Sequence, residues 1–304
     1  MKQLQIKKIC ILVNQFAGRG KTAKKLSVIL KIFEAANIAN DVFYSEHPGW
    51  FIDFIVHEDL GKYDSLVVIG GDGTIHEVVN GLMKSGQGLH LPLGIIPGGS
   101  GNAFADDLGL KNPIQAANQI ISGHIHSIDI MRISKGDTIS YAFNIIAWGI
   151  ASDVNIRADK LRWIGNSRYS LSAIISILNL KKRTILLRLD NDTVDGNAIL
   201  FIALNTIHTG KGMKMAPHAK LNDGLMDLLL LRDASRLRIL KIFLQSFSGK
   251  HVSDPLVEYR NAKTFSIQTE DDFLNIDGEN IGRTPIEVSL MPGALRIFTD
   301  LQLS

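Results

Sequence analysis

The stretch Ser65–Met83, SLVVIGGDGTIHEVVNGLM, restricts the fold more than any other part of the chain. Leu66 to Ile69 are apolar, and the β-branched Val67, Val68 and Ile69 suit a buried strand. Three glycines then fall within Gly70-Gly71-Asp72-Gly73-Thr74, where the main chain can turn freely and a ligand can approach it closely. Ile75, Val78, Val79 and Leu82 recur at helical spacing, with Asp72 or Thr74 available as a cap. A glycine turn between a strand and a helix N-terminus presents free N–H groups and a positive dipole end, which favours phosphate. A carboxylate in that position repels phosphate unless it binds a metal or takes a proton. Asp72 is therefore the leading catalytic candidate, the alternative being a plain turn with Asp72 as its cap.

The segments before and after this stretch repeat its logic. Lys8–Val13 (KICILV) reads as a strand, followed by the polar turn Asn14–Thr22 (NQFAGRGKT). Its Gly-Lys-Thr ending looks like a P-loop, but Gln15 stands where that motif needs glycine. A looser nucleotide loop using Asn14 and the main chain near Phe16 stays open. Lys21–Ala36 is an amphipathic helix, Asp41–Ser45 a strand whose last residue could meet a ligand, and Trp50–Glu58 a helix. Leu91–Ile96 is another strand. It leads into a second glycine turn, Pro97-Gly98-Gly99-Ser100-Gly101-Asn102, and a helix from Ala103 to Leu108. Alternating strands and helices predict a parallel sheet with both glycine turns at the carboxyl ends of its strands, facing one crevice.

From about His126 the pattern changes to period-two strands: Ser127–Ile133, Tyr141–Ile146, Thr184–Leu189, Ala198–Asn205, Leu225–Leu231, Phe265–Thr269 and Glu287–Leu290. Two helices interrupt them, Ser167–Leu180 and Ser235–Phe247. The second carries Arg236, Arg238 and Lys241. The expectation is a parallel α/β domain over 1–126, an antiparallel β-sandwich-like domain over 127–293, and a last strand in 294–304 returning to the first domain. Cys10 is the single cysteine, so an internal disulfide and a cysteine zinc site are excluded and a reducing cytoplasm is the expected setting. No apolar run approaches the roughly 20 residues that span a bilayer, and the N-terminal run is too short for a signal peptide. A formal charge of +3 suits an anionic ligand or membrane surface without calling for nucleic acid.

These motifs together resemble the diacylglycerol kinase and sphingosine kinase superfamily of lipid kinases. The likeness runs through Asn14–Lys21, Gly70–Met83, Gly98–Ala105, Trp148–Arg168, Asn222–Asp227 and Asp277–Glu279. HEVVNGLM with GSGNA, and the run from Trp148 to Tyr169, are similar to the sphingosine kinase branch. The resemblance implies ATP on the glycine turns and a lipid in the second domain. It places Asp72 as the base for the lipid hydroxyl, with Gly70, Gly71 and Gly73 on phosphate. Asn14, Phe16, Ser45, Thr74, Glu77, Ser100, Gly101 and Asn102 then take nucleotide positions. Arg162 and Arg168 grip the triphosphate, Asp277, Gly278 and Glu279 complete the site, and Glu279 is the alternative base. A Mg²⁺ ion would be held by Asp223 with the carbonyls of Lys220 and Leu225.

Two departures bear on substrate. Ala103 follows the asparagine of the second glycine turn where bacterial diacylglycerol kinases usually carry aspartate. Asn155 stands where sphingosine kinases hold an ammonium with aspartate. An amide supplies no negative charge, which favours a neutral lipid and predicts that Asn155→Asp would draw specificity toward an amine, unless Asp153 is the anchor. Two rivals remain: an NAD kinase, which shares the first glycine turn, and a lipid- or nucleotide-binding regulator without turnover. The expected partner is a lipid presented in a membrane, met peripherally by a cytoplasmic protein, and a homodimer is possible.

Overall fold

The computed structural model describes residues 3–16, 22–99, 102–210, 212–269 and 271–301. The chain divides into two compact units. One comprises 1–130, 221–223 and 291–304, the other 131–220 and 224–290.

The first unit is α/β. Its elements are β1 (Lys8–Val13), α1 (Thr22–Ala35), β2 (Ala39–Tyr44), α2 (Trp50–His57), β3 (Ser65–Gly70), α3 (Asp72–Lys84), β4 (Leu93–Pro97), α4 (Ala103–Asp107) and α5 (Pro113–Ser122). The strands pair in parallel in the order β4-β3-β1-β2. Every residue of β3 is buried, as is all of β1 beyond Lys8, so these strands read as unbroken apolar runs. Each such Val, Ile or Leu contributes about 1.5–3 kcal/mol by leaving water. Burial also pushes the Cys10 thiol up to about 12, with the charge of Asp41 adding to it, which leaves the thiol unreactive.

Helix α5 has no counterpart among the sequence expectations, and the helix expected over Ala103–Leu108 ends at Asp107. The start of α5 is capped by Asn112, whose side chain accepts from the Gln115 N–H, with Pro113 in the first turn.

The second unit is β-rich. In chain order it holds β5 (Ile125–Lys135, which begins in the first unit), β6 (Thr138–Ala142), β7 (Ile145–Gly149), α6 (Ile150–Lys160) and α7 (Arg168–Leu178). Next come β8 (Arg183–Leu189), β9 (Asp192–Leu204), the two-residue strands β10 (His208–Thr209) and β11 (Met213–Lys214), β12 (Met226–Arg232) and α8 (Arg236–Ser246). The last are β13 (Val257–Ala262), β14 (Thr264–Ile267), β15 (Phe273–Ile276), β16 (Glu279–Arg283) and β17 (Ile286–Phe298), which ends in the first unit. Pairing within this unit is antiparallel, in the order β16-β15-β7-β9-β8-β14-β17 with β12 and β13 on a branch from β9. Trp148, Phe201 and Phe265 anchor the core, the two phenylalanine rings meeting edge-on at 5.1 Å.

Two expectations are corrected in this half, and one helix has no counterpart among them. The strand expected over Tyr141–Ile146 is two strands, β6 and β7, broken at Phe143-Asn144 because the Asp277 carboxylate claims the N–H groups of residues 143–145. Ile150–Lys160 is a helix that the pattern hides, since its buried face includes Ser152, Asn155 and Ala158 rather than an apolar stripe. The strand expected at Glu287–Leu290 and the last strand expected within 294–304 are one strand, β17, which continues through Gly293 at φ 60°.

Candidate functional site

The strand order β4-β3-β1-β2 reverses direction between β1 and β3, and open α/β sheets leave a crevice beyond the carboxyl ends of the strands at that point. Asn14 follows β1 there and Gly71-Asp72 follows β3. The Asn14 N–H donates to the Ile69 carbonyl at 3.1 Å, and its side-chain amide donates to Thr74 Oγ1 at 2.9 Å. The Asn14 Oδ1 accepts from the Phe16 N–H at 2.9 Å, which leaves the Phe16 ring 70% exposed. Asn14 thus ties the loop after β1 to the first turn of α3. Thr74 is buried, so its part is to hold that loop.

The second glycine turn lies against the first, as the sequence suggests. The N–H groups of Gly98 and Gly99 donate to the Gly70 carbonyl at 2.7 and 3.2 Å. A Cβ on Gly70 would lie 2.5 Å from the Thr74 side chain, and one on Gly98 would lie 3.0 Å from the Gly70 nitrogen. Gly70 is therefore fixed by the close approach of the Thr74 side chain, and Gly98 by the close approach of the Gly70 main chain.

Asp72 sits between the turns. The cap expected from Asp72 or Thr74 on their own helix is corrected: Gly71 is the N-cap of α3 and makes no side-chain cap bond. The Asp72 carboxylate reaches instead to the start of α4, accepting from the Ala103 N–H at 3.0 Å and the Phe104 N–H at 3.3 Å. Half-buried and held by donors from a second helix, it is oriented rather than mobile. Asn102 closes its own turn, exchanging hydrogen bonds with Gly99 in both directions at 3.1 Å. Ser100 and Gly101 lie outside the described residues.

Two nucleotide candidates prove to have structural partners. The Glu77 carboxylate accepts from the Gly49 N–H at 2.9 Å and the Phe51 N–H at 3.4 Å, which caps α2. Ser45 is buried, its N–H donating to the Val13 carbonyl, and its own carbonyl accepts from Gln15 Nε2 at 3.3 Å.

In the second unit Asp277 and Gly278 form the two-residue turn between β15 and β16, with φ of 51° and 93°. Positive φ at both positions is what a tight hairpin demands, and Asp-Gly meets it. Asp277 is buried and its carboxylate accepts from the N–H groups of Phe143, Asn144 and Ile145 at 2.9–3.2 Å. This carboxylate, expected to meet nucleotide, is engaged by the main chain of residues 143–145. Asn144 and Thr206, joined by their side chains, complete this buried polar cluster. Glu279, the first residue of β16, is exposed, and its carboxylate makes no hydrogen bond or ion pair among the described residues.

The two substrate candidates are likewise engaged. Asp153 receives a bidentate pair from Arg183 at 2.8 and 2.9 Å, and the Arg183 Nε meets Asp272 at 2.7 Å. Burial alone disfavours the charged guanidinium, but the flanking Asp153 and Asp272 outweigh it and hold Arg183 firmly charged. Asp153 is therefore committed to Arg183, which it shares with Asp272, rather than presented as a free carboxylate. Asn155 donates through Nδ2 to the Gly278 carbonyl at 2.6 Å, bracing the hairpin turn from α6. Asn280 donates to Asp159 at 3.2 Å and makes a second brace. Arg183 and Asn280 escaped sequence reasoning because neither sits in a motif. The one visible signal was an arginine at the start of a strand otherwise rich in buried residues.

Arg168 opens α7, stacked on Tyr169 with its guanidinium carbon 4.7 Å from the ring centre. The Arg162 side chain lies outside the described residues. Lys220, Asp223 and Leu225 fall in the turn before β12. One carboxylate and two carbonyls are hard oxygen donors of the kind Mg²⁺ takes, with water filling the rest of its shell. No group of three His, Cys, Asp or Glu side chains able to hold a metal occurs among the described residues.

Residues 8–133 match the model of the diacylglycerol kinase catalytic domain, and 144–299 match the YegS C-terminal NAD kinase beta sandwich-like domain. A diacylglycerol kinase of Mycobacterium tuberculosis is 34% identical over 77% of this chain and 76% of its own length. One from Staphylococcus epidermidis is 30% identical over 96% of this chain and 92% of its own length. Sphingosine kinase 2 of Arabidopsis thaliana is 26% identical over 98% of this chain and 74% of its own length. The crystal structure of a diacylglycerol kinase from Bacillus anthracis shares the fold, with a TM-score of 0.81 at 23% identity over 98% of this chain and 99% of that one. With both halves matched and relatives of this identity along most of its length, the chain belongs to the diacylglycerol kinase family of lipid kinases.

Proposed function

We propose that this lipid kinase transfers the γ-phosphoryl group of ATP to the hydroxyl of a neutral, acylglycerol-type lipid presented in a membrane. The observation that carries the reading is the Asp72 carboxylate, oriented by α4 and set between two abutting glycine turns at the sheet's switch point. The main-chain N–H groups of the turns suit the phosphates, and Asp72 takes the proton of the attacking hydroxyl. The new bond forms from the lipid oxygen to phosphorus as the bond to the ADP oxygen breaks, and ADP leaves with the electron pair. Most of the rate enhancement then comes from placement and electrostatics. Mg²⁺ bound by Asp223 and the carbonyls of Lys220 and Leu225 would neutralise phosphate charge. Arg162 and Arg168 are assigned to the triphosphate, and Glu279 is the alternative base.

A neutral lipid is favoured because neither residue expected near an ammonium offers it an uncommitted carboxylate. Asp153 already carries Arg183, and the Asn155 amide points a donor at Gly278. An ammonium removed from water without a facing carboxylate is costly. The test is incubation with γ-labelled ATP, Mg²⁺ and a panel of diacylglycerol, monoacylglycerol, ceramide, sphingosine and NAD. Label in an acylglycerol is the expected result. Label in sphingosine by a wide margin refutes the substrate assignment, and label in NAD alone refutes the lipid-kinase reading.

A further inference from the structure

A two-residue Asp-Gly turn closes a hairpin through its own backbone angles. The turn at Asp277-Gly278 is held from several directions besides. The Asp277 carboxylate takes the N–H groups of residues 143–145. The Gly278 N–H donates to Asn275 Oδ1 at 3.2 Å, and the Gly278 carbonyl accepts from Asn155 Nδ2 at 2.6 Å. Asn155 Nδ2 also donates to Asn280 Oδ1 at 3.4 Å, and Asn280 Nδ2 donates to Asp159 Oδ2 at 3.2 Å. Asn155 and Asp159 stand four residues apart on α6, so one face of that helix grips the residue before Glu279 and the residue after it.

The strand ladder is adjusted at the same place. Leu274 pairs with Gly282 and Ile276 with Glu279, so Asn275 alone stands opposite two residues, Asn280 and Ile281. Such a bulge bends its strand and re-aims the side chains beside it. Here it lets Asn280 meet α6 while Gly282 lies against Leu274 and Ile276, where a Cβ would come within 2.8 Å of the Ile276 side chain. The Asn275 Nδ2 is left buried with no acceptor among the described residues. A hairpin built for stability alone has no reason to carry that cost. What the braces leave unengaged is the exposed Glu279 carboxylate, at the centre of them.

Building on the lipid-kinase reading, we propose that the bulge and the α6 grip form one device that aims the Glu279 carboxylate at the lipid hydroxyl, with Asn155 and Asn280 as positioning residues acting through it. A glutamate on a loose hairpin tip samples many directions. Fixing the main chain on both sides of it removes much of that freedom before the lipid arrives. The device also explains an amide at position 155. The Gly278 carbonyl needs a donor, which an ionised carboxylate is not.

The test is a double-mutant cycle in kcat, measured with γ-labelled ATP on diacylglycerol or whichever lipid of the panel the wild type phosphorylates. Asn280→Ala and Asn155→Ala are each made alone and with Glu279→Gln. Asp190→Ala, which breaks a clasp elsewhere in the second unit, is the control, and thermal unfolding confirms that each variant is folded at the assay temperature. Asn280 is only partly buried, so Asn280→Ala carries the test if Asn155→Ala does not fold. Each asparagine variant is expected to lower kcat about tenfold to a hundredfold with the KM for ATP kept. In the Glu279→Gln background the same change should alter kcat by less than about twofold, because its effect runs through the carboxylate already removed. The control should lose stability and keep its kcat. Asparagine losses of the same size in both backgrounds would overturn the proposal, as would wild-type kcat in Asn280→Ala. Wild-type kcat in Glu279→Gln would overturn it too and leave the lipid kinase standing. A wild type that phosphorylates no lipid would refute the kinase reading and this assignment with it.

Discussion

In the proposed mechanism Asp72 does two jobs with one carboxylate, and its variants should separate them. Asn at this position keeps the size but presents an NH₂ group toward one of two N–H donors, so one hydrogen bond at the start of α4 is lost. Asp72→Asn is expected to lower stability by about 1 kcal/mol and turnover by about 10²–10⁴-fold, with ATP affinity largely kept. Thermal unfolding and nucleotide titration beside the kinase assay distinguish the two effects. If turnover survives, Glu279→Gln should abolish it. Asn155→Asp reverses the outcome that sequence suggests. A carboxylate facing the Gly278 carbonyl at the 2.6 Å now spanned by a hydrogen bond repels it, so the variant should lose about 1–3 kcal/mol and gain no preference for an amine. The measurements are unfolding and the ratio of kcat/KM for diacylglycerol and sphingosine. His251 supplies a pH dependence. Burial lowers its pKa below the ordinary 6.5, opposed by its hydrogen bond to the Met215 carbonyl. The unfolded chain therefore binds this proton more readily than the folded one. Its contribution is whole above about pH 6.5 and is lost as pH falls from there through the depressed folded value. Unfolding followed from pH 7.5 to 5 should show the decline, and His251→Phe should flatten it.

Elements were legible where their own residues carried the pattern. Lys8–Val13 coincides with β1, and Ser235–Phe247 brackets α8, whose cap is Ser235 accepting from the Arg238 N–H at 3.4 Å. Pro113–Ser122 also had its signals in Asn112, Pro113 and Gly123, the start and stop residues of a short helix. Helix α6 had none, because it packs by small and polar side chains. The break between β6 and β7 is set by a carboxylate more than 130 residues downstream, which no local window contains. For the same reason the candidate site was readable as a set of turns but not as a set of bonds. The glycines and Asp72 announce themselves, whereas the partners of Glu77, Asp153 and Asn155 are decided by tertiary contact. A comparable long-range clasp forms at Asp190, whose carboxylate takes the N–H groups of Lys263 and Thr264 and the Thr264 hydroxyl. Those hydrogen bonds outweigh burial and lower its pKa, so their stabilisation is present above the ordinary 3.8 and is lost as acid carries the pH through the lower folded value. The donors are near solvent, so Asp190→Ala should cost only about 1 kcal/mol, measured in denaturant at neutral pH.

At the scale of the molecule, charge and chain path matter more than any single contact. No helix among the described residues is long and apolar enough to cross a membrane, and the mild net charge of +3 conceals a strongly basic pair of segments around α7 and α8. The path has its own effect. The first unit is assembled from three separate stretches of chain, the last of them 291–304. Ile297 pairs in parallel with Leu93 on β4, and Leu295, Ile297 and Phe298 are buried. A chain ending at residue 290 would forfeit about 1.5–3 kcal/mol for each of those side chains and leave the edge of β4 bare. Such a truncation is expected to unfold at lower denaturant and to aggregate, which unfolding curves and light scattering would report. The ribosome faces the same arithmetic during synthesis. It releases the glycine turns and Asp72 early, yet the sheet that holds them stays open at the β4 edge until residues 291–298 have been made. The nascent chain therefore carries both glycine turns on an unfinished sheet while the whole second unit is made, and the segment 291–298 closes that sheet.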